Sequence, residues 1–439
     1  MNHSFLDVAE QVIGSISNGV WPVFLPFMFL FGAYTAISAV FKVRKKCTEP
    51  AKMSIKNMIG PVSISLGNMI GTGAIIGVMG SLSKLNGNGQ IYIEALAGWG
   101  LLGAMIMIPV TYSEVLCSKI MHKTPKEYIS AMLSPKVGLL YAVAFVTLYL
   151  FGISGFQFSG IDTVITVITE RYAHVALTQI QRYLCIILPI VLFVGIIVLT
   201  KKHHVFIHAM TYMIFSAVAL YFVFFITFVI KTNAYLPTFF ARMGEGMKNP
   251  VTALFGLPMG LILGMQRVLQ TAETGIGSQA LASAEADTKP REAGAIALIP
   301  SIITVMTSIG ITSYVCSYGM NAEIITLPAD SLARLGSYFS TATSVTGSFG
   351  LIVLSSFTLL SAMTTLLGSF FYLSQLFKQN TENRNIRIYL IVILAAGTLA
   401  IFGFNIVFDA VDLLLFVVSA LNISALAVFV TRGYKKYHL

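Results

Sequence analysis

Charged side chains are scarce in this sequence of 439 residues. Asp, Glu, Lys and Arg make up only 10% of the chain, whereas hydrophobic residues make up 56%, and the mean hydropathy is +0.81. A soluble protein of this length needs far more polar surface than this composition supplies. The sequence therefore predicts a protein that crosses a membrane many times.

Cysteine is also rare, and the motifs of several enzyme classes are missing. The sequence contains no H-E-x-x-H, G-x-S-x-G or P-loop pattern, so we expect no enzymatic activity. The four cysteines are scattered along the chain, which predicts neither a disulfide framework nor a metal site. They are Cys47, Cys117, Cys185 and Cys316.

Acidic residues are outnumbered by basic ones, 18 against 28, and the formal net charge is +10. The basic residues form no stripe interleaved with aromatic residues, so we expect no nucleic-acid partner. They occur instead in short runs between apolar segments, which is the pattern of membrane topology. The expected environment of the chain is a lipid bilayer.

Apolar runs of about 20 residues, the length that spans a bilayer, occur eleven times. This predicts an all-α polytopic fold with eleven transmembrane helices. The expected spans are 20–41, 58–82, 92–117, 137–160, 182–200, 205–230, 251–270, 293–317, 345–376, 387–404 and 408–431.

The distribution of Lys and Arg predicts the orientation of these spans. The loop "KVRKKCTEPAKMSIK" after the first span holds six of them and is expected in the cytoplasm. With strict alternation from there, 20 of the 28 Lys and Arg residues fall on the cytoplasmic side. We therefore predict a protein of the cell (inner or plasma) membrane with its N-terminus outside and its C-terminus in the cytoplasm.

The eleven spans divide into one peripheral helix and two blocks of five with opposite orientation, as an inverted repeat requires. The predicted organisation is an N-terminal segment 1–57 with the peripheral helix and a basic loop, repeats 58–230 and 251–431, and a cytoplasmic tail 432–439. The first span of each repeat is interrupted by helix breakers. Span 2 contains "SLGNMIGTGAIIGV" and span 7 contains "FGLPMGLILG".

The glycines of span 2 have two possible explanations. They weaken the helix so that it breaks in the membrane and exposes backbone amides and carbonyls to a bound solute and ion. Alternatively, the G-x-x-x-G spacings of Gly67 with Gly71 and of Gly73 with Gly77 allow close helix packing. Interrupted segments at matching positions of two repeats favour a transporter with a solute site at the breaks.

Several motifs resemble those of the alanine/glycine:cation symporter family. "GNMIGTGAIIGV" resembles the family's second helix with its G-T-G-N-I motif, and residues 266–294 resemble its R-G-x-F-S-N-E-A-G-x-G-S signature. "MTTLLGSFFY" resembles T-T-I-L-G-W-x-Y, and the spacing of Asp412 and Asn422 fits A-D-T…P-N. The resemblance covers nearly the whole chain. It implies a sodium-coupled amino-acid symporter with a five-plus-five inverted repeat and broken helices 2 and 7.

The resemblance also implies a set of site residues. The break at Gly71, with the amides of Thr72 and Gly73, would bind the carboxylate of an amino acid, as the N-terminus of a half-helix can. Sodium, as co-transported ion, would be held by carbonyls of Gly67, Ile70 and Ser361 and by the hydroxyls of Thr364 and Thr365. Neutral oxygen ligands suit a hard monovalent cation. The alternative for the two threonines is a hydroxyl-to-backbone bond within their own helix.

Other polar residues in apolar surroundings have a structural explanation beside a functional one. Gln157 resembles a polar substrate-binding position in the family's helix 4, but a buried structural hydrogen bond explains it equally well. Arg267 and Glu273 are expected to pair with each other or with the adjacent loop, in a gate or a packing salt bridge. Glu114 and Asp412 are expected near span ends, facing water or a helix terminus.

Two positions depart from the family pattern. Ala74 replaces an asparagine whose side chain would help to bind a second sodium ion, so we expect that site to be missing or differently built. Ser369 replaces a tryptophan that would close the pocket on very small side chains. We therefore expect a neutral amino acid larger than alanine or glycine as substrate.

The sequence thus predicts a sodium-coupled symporter that imports a neutral amino acid by alternating access. A proton-coupled transporter or exchanger of the same fold is the alternative; against it, the predicted spans 2 and 7 contain no carboxylate at mid-depth. A channel is disfavoured because its filter normally needs oligomeric symmetry. The identity of the amino acid, the number of sodium ions and the oligomeric state, a monomer included, are left open.

Overall fold

The protein is all-helical in a computed structural model that describes residues 5–38, 54–170, 174–327, 331–378, 383–402 and 404–433. Within these ranges no named strand occurs, and one isolated bridge joins Thr252 to Pro258. This confirms the predicted fold class. The predicted basic loop 42–57 lies almost entirely outside the described residues, as do the last residues of the C-terminal tail.

Sixteen helices are used below to describe the fold. In chain order they are α1 (Phe5–Ser38), α2 (Ile55–Met69), α3 (Gly73–Gly87), α4 (Ala95–Met121), α5 (Pro125–Met132), α6 (Pro135–Ile168), α7 (Gln179–Leu199), α8 (His203–Lys231), α9 (Leu236–Lys248), α10 (Met259–Ala272), α11 (Ser278–Ala282), α12 (Pro290–Asn321), α13 (Ser331–Thr346), α14 (Ser348–Leu376), α15 (Asn383–Phe402) and α16 (Phe404–Val428).

Seven of the described helices are long and apolar enough to cross a bilayer, and the bent pair α2–α3 makes an eighth. The prediction of many membrane spans is therefore confirmed, but the exact count of eleven is not. The apolar part of α1, Gly19–Tyr34, is shorter than a full span. Helix α10 has only 14 residues, because the chain leaves the helix after Ala272.

Short helices occupy loops for which the sequence analysis predicted no structure. Helices α5 and α9 have 8 and 13 residues, and α13 has 16. All three carry many polar or charged residues, so they are too short and too polar to span a bilayer. A search for spanning hydrophobic runs misses such helices.

The first predicted break is present inside "SLGNMIGTGAIIGV". Helix α2 ends at Met69, and Ile70 has extended backbone angles, φ −89° and ψ 99°. Helix α3 begins at Gly73 and is bent by 46° relative to α2. The Ile70 amide closes α2 by donating to the Leu66 carbonyl at 2.8 Å. The helical geometry is thus interrupted at Ile70, and it resumes at Thr72, whose angles are φ −59° and ψ −24°.

The "FGLPMGLILG" stretch is not α-helical before Met259, with positive φ angles of 61° at Phe255 and 70° at Gly256, and a second break lies further along the chain. Pro258 directly precedes α10, a position that proline tolerates because no helical hydrogen bond needs its missing N–H. The interruption follows at Glu273, Gly275 and Gly277, which have positive φ angles of 48°, 81° and 97°. A left-handed backbone cannot continue a right-handed helix. Span 7 is therefore broken at its far end.

The glycines of the two spans have different roles. In α10, a Cβ on Gly264 would lie 2.7 Å from the Gly100 Cα, so this glycine permits close backbone contact with α4. In span 2, a Cβ on Gly71 would lie 2.6 Å from the Gln157 amide, and one on Gly67 would lie 2.6 Å from Met210 Cε. The packing explanation thus applies to α10, whereas the span-2 glycines leave room for side chains.

The broken span lies in the interior of the molecule. Helix α2 packs against α8, α12 and α14, and α3 packs against α10, α12 and α13. Every residue of α2 from Gly60 to Met69 is buried. The break is therefore surrounded by other helices, which is the condition under which irregular backbone is tolerated at membrane depth.

Ion pairs group the loops on two faces. Lys378 contacts Glu127 at 2.7 Å, and Arg242 lies 3.7 Å from Glu94; the alternation assigns these two pairs to opposite sides of the membrane. Partial burial raises the pKa of Glu127, but the hydrogen bonds from Lys378 and Thr124 lower it by more. The pKa of Glu127 is therefore below its ordinary value. The loops in each pair are those that the alternation assigns to one side. Which side is cytoplasmic stays a prediction.

Candidate functional site

A cavity lies directly at the break between α2 and α3. It encloses about 600 Å³ of space, part of it open to solvent. Three of the predicted substrate-binding residues line it: Gly71, Gly73 and Gln157. The other polar lining residues come from the end of α2, from α10 and its break, and from α16. These are Asn68, Arg267, Gln270, Thr271, Glu273 and Asp412.

Two of the predicted substrate-binding residues are hydrogen-bonded to each other. Gln157 Oε1 accepts from the Thr72 amide at 3.0 Å and from the Thr72 hydroxyl at 3.2 Å. Gly160 makes room for Thr72, because a Cβ there would lie 2.3 Å from Thr72 Cγ2. The buried structural hydrogen bond foreseen for Gln157 is therefore present, and it fixes the start of α3 against α6.

The predicted sodium ligands from α2 and α14 converge. The Thr365 hydroxyl donates to the Gly67 carbonyl at 3.0 Å and to the Ser361 carbonyl at 2.9 Å. The Thr364 hydroxyl donates to the same Ser361 carbonyl at 2.8 Å. All three α14 residues are fully buried. Ile70, the remaining predicted ligand, stands at the end of α2, three residues beyond Gly67.

Ser369 and Ala74 lie outside the lining of the cavity. The Ser369 hydroxyl is 3.3 Å from Asn68 Oδ1 and donates to the Thr365 carbonyl at 2.8 Å. Asn68 lines the cavity, so Ser369 supports a lining residue from behind. The Ala74 carbonyl accepts from the Thr312 hydroxyl at 3.0 Å. A hydroxyl from α12 thus approaches α3 where the family pattern has an asparagine.

Glu273 is a cavity residue to which the sequence analysis gave a different role. Its Oε1 accepts from Asn68 Nδ2 and from the Tyr149 hydroxyl, both at 2.8 Å. Its Oε2 makes no close hydrogen bond within the described part of the chain, although the Ser278 hydroxyl lies near enough to interact with the carboxylate, and the residue is only 2% exposed. The expected pairing with Arg267 is not what the structure shows. Glu273 instead joins the second break to the first.

Arg267 pairs with a carboxylate from α16. Its guanidinium lies 3.9 Å from Asp412 Oδ2, and its Nε donates to the Ser81 hydroxyl. Asp412 also accepts from Gln266 Nε2 at 3.2 Å. The expectation that Asp412 faces water or a helix terminus is wrong, since the residue is 2% exposed. A buried carboxylate needs such partners to offset its desolvation.

Glu114 is buried and faces the N-terminus of α11, one of the two surroundings expected for it, and it holds the second break in place. Its carboxylate accepts from the Gly277 amide at 2.9 Å, from the Ala280 amide at 3.1 Å and from Asn422 Nδ2 at 3.2 Å. These bonds satisfy backbone donors that the left-handed turn leaves without helical partners. This role of Glu114 follows from the packing of α4 against the second break, and the sequence near Glu114 does not indicate it.

The signals for the missed residues were present but ambiguous. Asn68 stands inside the quoted break stretch, and Glu273 stands in "TAETGIG", between an apolar helix and two glycines. A polar side chain within an apolar span has a high desolvation cost unless it has a hydrogen-bond partner or binds a ligand. The sequence alone did not reveal that these two residues meet.

The fold and the site define a class of protein. Many apolar helices, a helix broken in the interior and a polar cavity at the break are features of secondary transporters. The fold is similar to that of a Na⁺-coupled sialic acid symporter solved in a substrate-bound outward-open state. The two chains share 13% identity with a TM-score of 0.55, over 94% of this chain and 86% of that chain. Among curated protein sequences no match is found.

The chain belongs to the sodium:alanine symporter family, whose sequence model matches residues 7–438. The resemblance found in the motifs is thereby confirmed. The protein is a sodium-coupled transporter of a small molecule, embedded in a membrane by several spans, and not an enzyme.

Proposed function

We propose that the protein imports a neutral amino acid together with Na⁺ by alternating access, with the substrate bound in the cavity at the α2–α3 break. One observation carries this proposal. The start of α3 and the buried Glu273 carboxylate line the same cavity, and Glu273 Oε2 makes no close hydrogen bond among the described residues. An anion-binding helix end beside a carboxylate suits a zwitterion.

The carboxylate of the substrate would be bound at the start of α3. The first N–H groups of a helix have no intrahelical partner, and the helix dipole favours an anion there. Gln157 already occupies the Thr72 amide, so the Gly73 amide is the donor that we assign to the substrate. Gly71 keeps this region open, since a Cβ there would meet the Gln157 amide.

The ammonium group would be bound by Glu273. An ion pair in a water-poor cavity is much stronger than one at the surface. Arg267 and Asp412 already form a pair of opposite charges in the same cavity, so Glu273 is the carboxylate that a cationic group would neutralise. The side chain of the substrate would contact the apolar wall of the cavity. That wall consists of Ile153, Phe156, Val411 and Leu415.

The sodium ion would bind between α2 and α14, at Gly67, Ile70, Ser361, Thr364 and Thr365. The hydroxyl of Thr365 bonds to the Gly67 carbonyl in the structure, and both oxygens would turn toward the ion. Such a site joins α2 to α14 next to the substrate. Sodium binding would thereby stabilise the same break that the amino acid needs, which couples the two solutes.

The substrate would be larger than alanine or glycine. Ser369 is fully buried behind Asn68 and leaves that side chain in hydrogen-bond contact with Glu273. A large residue at position 369 would displace Asn68 into the cavity. The serine thus supports a cavity with room for a branched or longer side chain.

Uptake of radiolabelled amino acids into proteoliposomes tests the proposal. We expect uptake that requires an inward sodium gradient and that is inhibited by amino acids but not by the matching 2-hydroxy acids, which lack the ammonium group. Glu273→Gln should lower uptake about 10- to 100-fold, the value of a hydrogen bond to a charged group. Glu245→Gln, on the exposed surface of α9, is the matched control. Equal inhibition by hydroxy acids would contradict the assigned ammonium site.

The proton-coupled alternative also finds an observation in its favour. The predicted spans 2 and 7 contain no carboxylate, but Glu273 follows span 7 directly and lines the cavity. A buried carboxylate is the usual carrier of a proton in such transporters. Uptake driven by a pH gradient in the absence of sodium would favour this alternative.

A further inference from the structure

A second cavity lies at the surface of the helix bundle, far along the chain from the break. It encloses about 730 Å³, including space open to solvent. It is formed where α7 ends, where α8 begins and near the end of α14. Its main lining residues are Ile197, Lys201, Lys202, His203, Phe206 and Phe371.

The position of this cavity along the bilayer normal follows from its helices. Both α7 and α8 are apolar enough to span a membrane, and only residues 200–202 connect them. The Thr200 hydroxyl donates to the Ile197 carbonyl at 2.7 Å and accepts from the Lys202 amide at 3.4 Å. The connection is therefore a tight turn. It must lie where the hydrocarbon core ends and the headgroups begin.

The charge of the cavity comes from two lysines. Lys201 and Lys202 are exposed, and neither has an ion-pair partner in the described part of the chain. The neighbouring His203 is already engaged, because its Nε2 lies 2.8 Å from Glu285 Oε1. Two adjacent cationic groups thus line the space without an ion-pair partner among the described residues, and the nearby Glu285 carboxylate is bound to His203 instead.

The wall below the lysines is apolar. The rings of Phe206 and Phe371 stack at 6.2 Å between centroids, with an interplanar angle of 21°. Ile196 and Leu199, on the outer surface of α7, are 66% and 50% exposed, as residues that face lipid are. A soluble anion would bind to the two lysines, but it would not cover the apolar wall, which would stay in contact with water.

We propose that this cavity binds an anionic phospholipid, with the phosphate of the headgroup on Lys201 and Lys202 and the acyl chains along Ile197, Phe206 and Phe371. Basic residues at the end of a membrane helix attract anionic headgroups, and basic pockets between helices bind them specifically. A lipid fits both parts of the site, since its charge meets the lysines and its chains cover the apolar wall. This inference is independent of the solute that the protein transports.

Native mass spectrometry of the full-length protein tests the proposal. The protein is released from micelles that contain equal amounts of phosphatidylglycerol and phosphatidylcholine, and the retained lipid is counted. We expect one phosphatidylglycerol to be retained in preference to phosphatidylcholine. Lys201→Gln with Lys202→Gln should weaken its retention about 30-fold, which corresponds to about 1 kcal/mol for each lysine near anionic lipid.

Two further variants make the result specific. Lys123→Gln with Lys136→Gln removes the same charge from elsewhere on the surface and should retain the lipid as the wild type does. Lys201→Arg with Lys202→Arg keeps the charge and should restore binding, which shows that the turn still folds. Equal retention of both lipids by the wild type, or unchanged retention of phosphatidylglycerol by the double glutamine variant, would overturn the proposal.

Discussion

Three buried carboxylates show how individual residues adapt to the interior. Glu114 is satisfied by backbone amides, and Asp412 is satisfied by Arg267 and glutamine amides. Glu273 has Asn68 and Tyr149 on one oxygen, whereas its other oxygen makes no close hydrogen bond in the described residues and has only the Ser278 hydroxyl nearby. A buried charge without sufficient partners is costly. Of the three, Glu273 is therefore the one whose surroundings call for a ligand.

The hydroxyls of Thr364 and Thr365 allow a direct test of the sodium site. Replacing both by valine keeps the volume nearly equal and removes both oxygens, so sodium dependence of uptake should be lost. The lost hydrogen bonds should also reduce the stability of folding by about 1 kcal/mol each. A sodium titration of uptake measures the first effect. Thr358→Val is the control, because among the described residues the Thr358 hydroxyl bonds only to the Leu354 carbonyl in its own helix. Sodium-driven uptake retained by the double variant would refute the site.

Position 369 tests the selectivity. In the wild type we expect branched or longer neutral amino acids to compete better than alanine and glycine, because each additional buried methylene contributes about 0.8 kcal/mol. Ser369→Trp should reverse this order by pushing Asn68 into the cavity. The measurement is competition against the best labelled substrate. Ser369→Ala removes only the hydroxyl and should keep the wild-type order; a wild type that already prefers glycine or alanine would contradict the argument.

At the scale of helices, the two breaks have different physical causes. The first is a short extended link at Ile70 whose exposed groups are taken up by Gln157 and Thr365. The second is a left-handed turn whose amides are held by Glu114. Glu273 and Asn68 connect them directly. A movement of α2 relative to α10 would therefore stretch or break this hydrogen bond.

The contact between α10 and α4 should be sensitive to a single methyl group. In Gly264→Ala the new Cβ would lie 2.7 Å from the Gly100 Cα and 2.8 Å from its amide nitrogen, both backbone atoms that cannot turn away. Overpacking of this kind costs about 1–3 kcal/mol, so the thermal unfolding temperature in detergent should fall. Gly244→Ala in α9 meets nothing within 4 Å and should not lower it. Equal unfolding temperatures for the two variants would show that α10 can move away from α4.

At the scale of the whole molecule, the distribution of charge predicts orientation. Basic residues concentrate in loops that the alternation assigns to the cytoplasm, and ion pairs such as Lys378 with Glu127 join loops assigned to one side. The loops that this ion pair joins are thus loops that the predicted alternation of spans places on the same side of the membrane. The direction of the whole bundle follows from the positive-inside rule alone.

Fused reporters test this orientation. Reporters placed after Lys46 and after Lys436, both outside the described residues, should report the cytoplasm. A reporter in the loop at Asn321 should report the outside. Enzymatic reporters that are active on only one side of the membrane provide the measurement. If the two basic ends were found on opposite sides, the predicted odd number of spans would be wrong.

The sequence by itself determined the features that depend on local chemistry and hydropathy. Low charge predicted a membrane fold, and the helix breakers in "SLGNMIGTGAIIGV" allowed either a break or close packing; the structure has a break at Ile70. The motifs identified the family before any comparison of structures. Ser361, Thr364 and Thr365, which the family resemblance groups as sodium ligands, lie within about one helical turn of each other, but their role stays a prediction.

Only the tertiary structure decided which residues from distant parts of the chain meet. Glu273 and Asn68 are 205 positions apart, and Glu114 and Asn422 are 308 apart. A carboxylate next to a glycine looks the same in a sequence whether it faces water or a buried amide. Its role depends on the partners that helix packing supplies, because burial of a charge is tolerated only where those partners offset its desolvation. Hydropathy predicted the helices, but it contained no information about these partners.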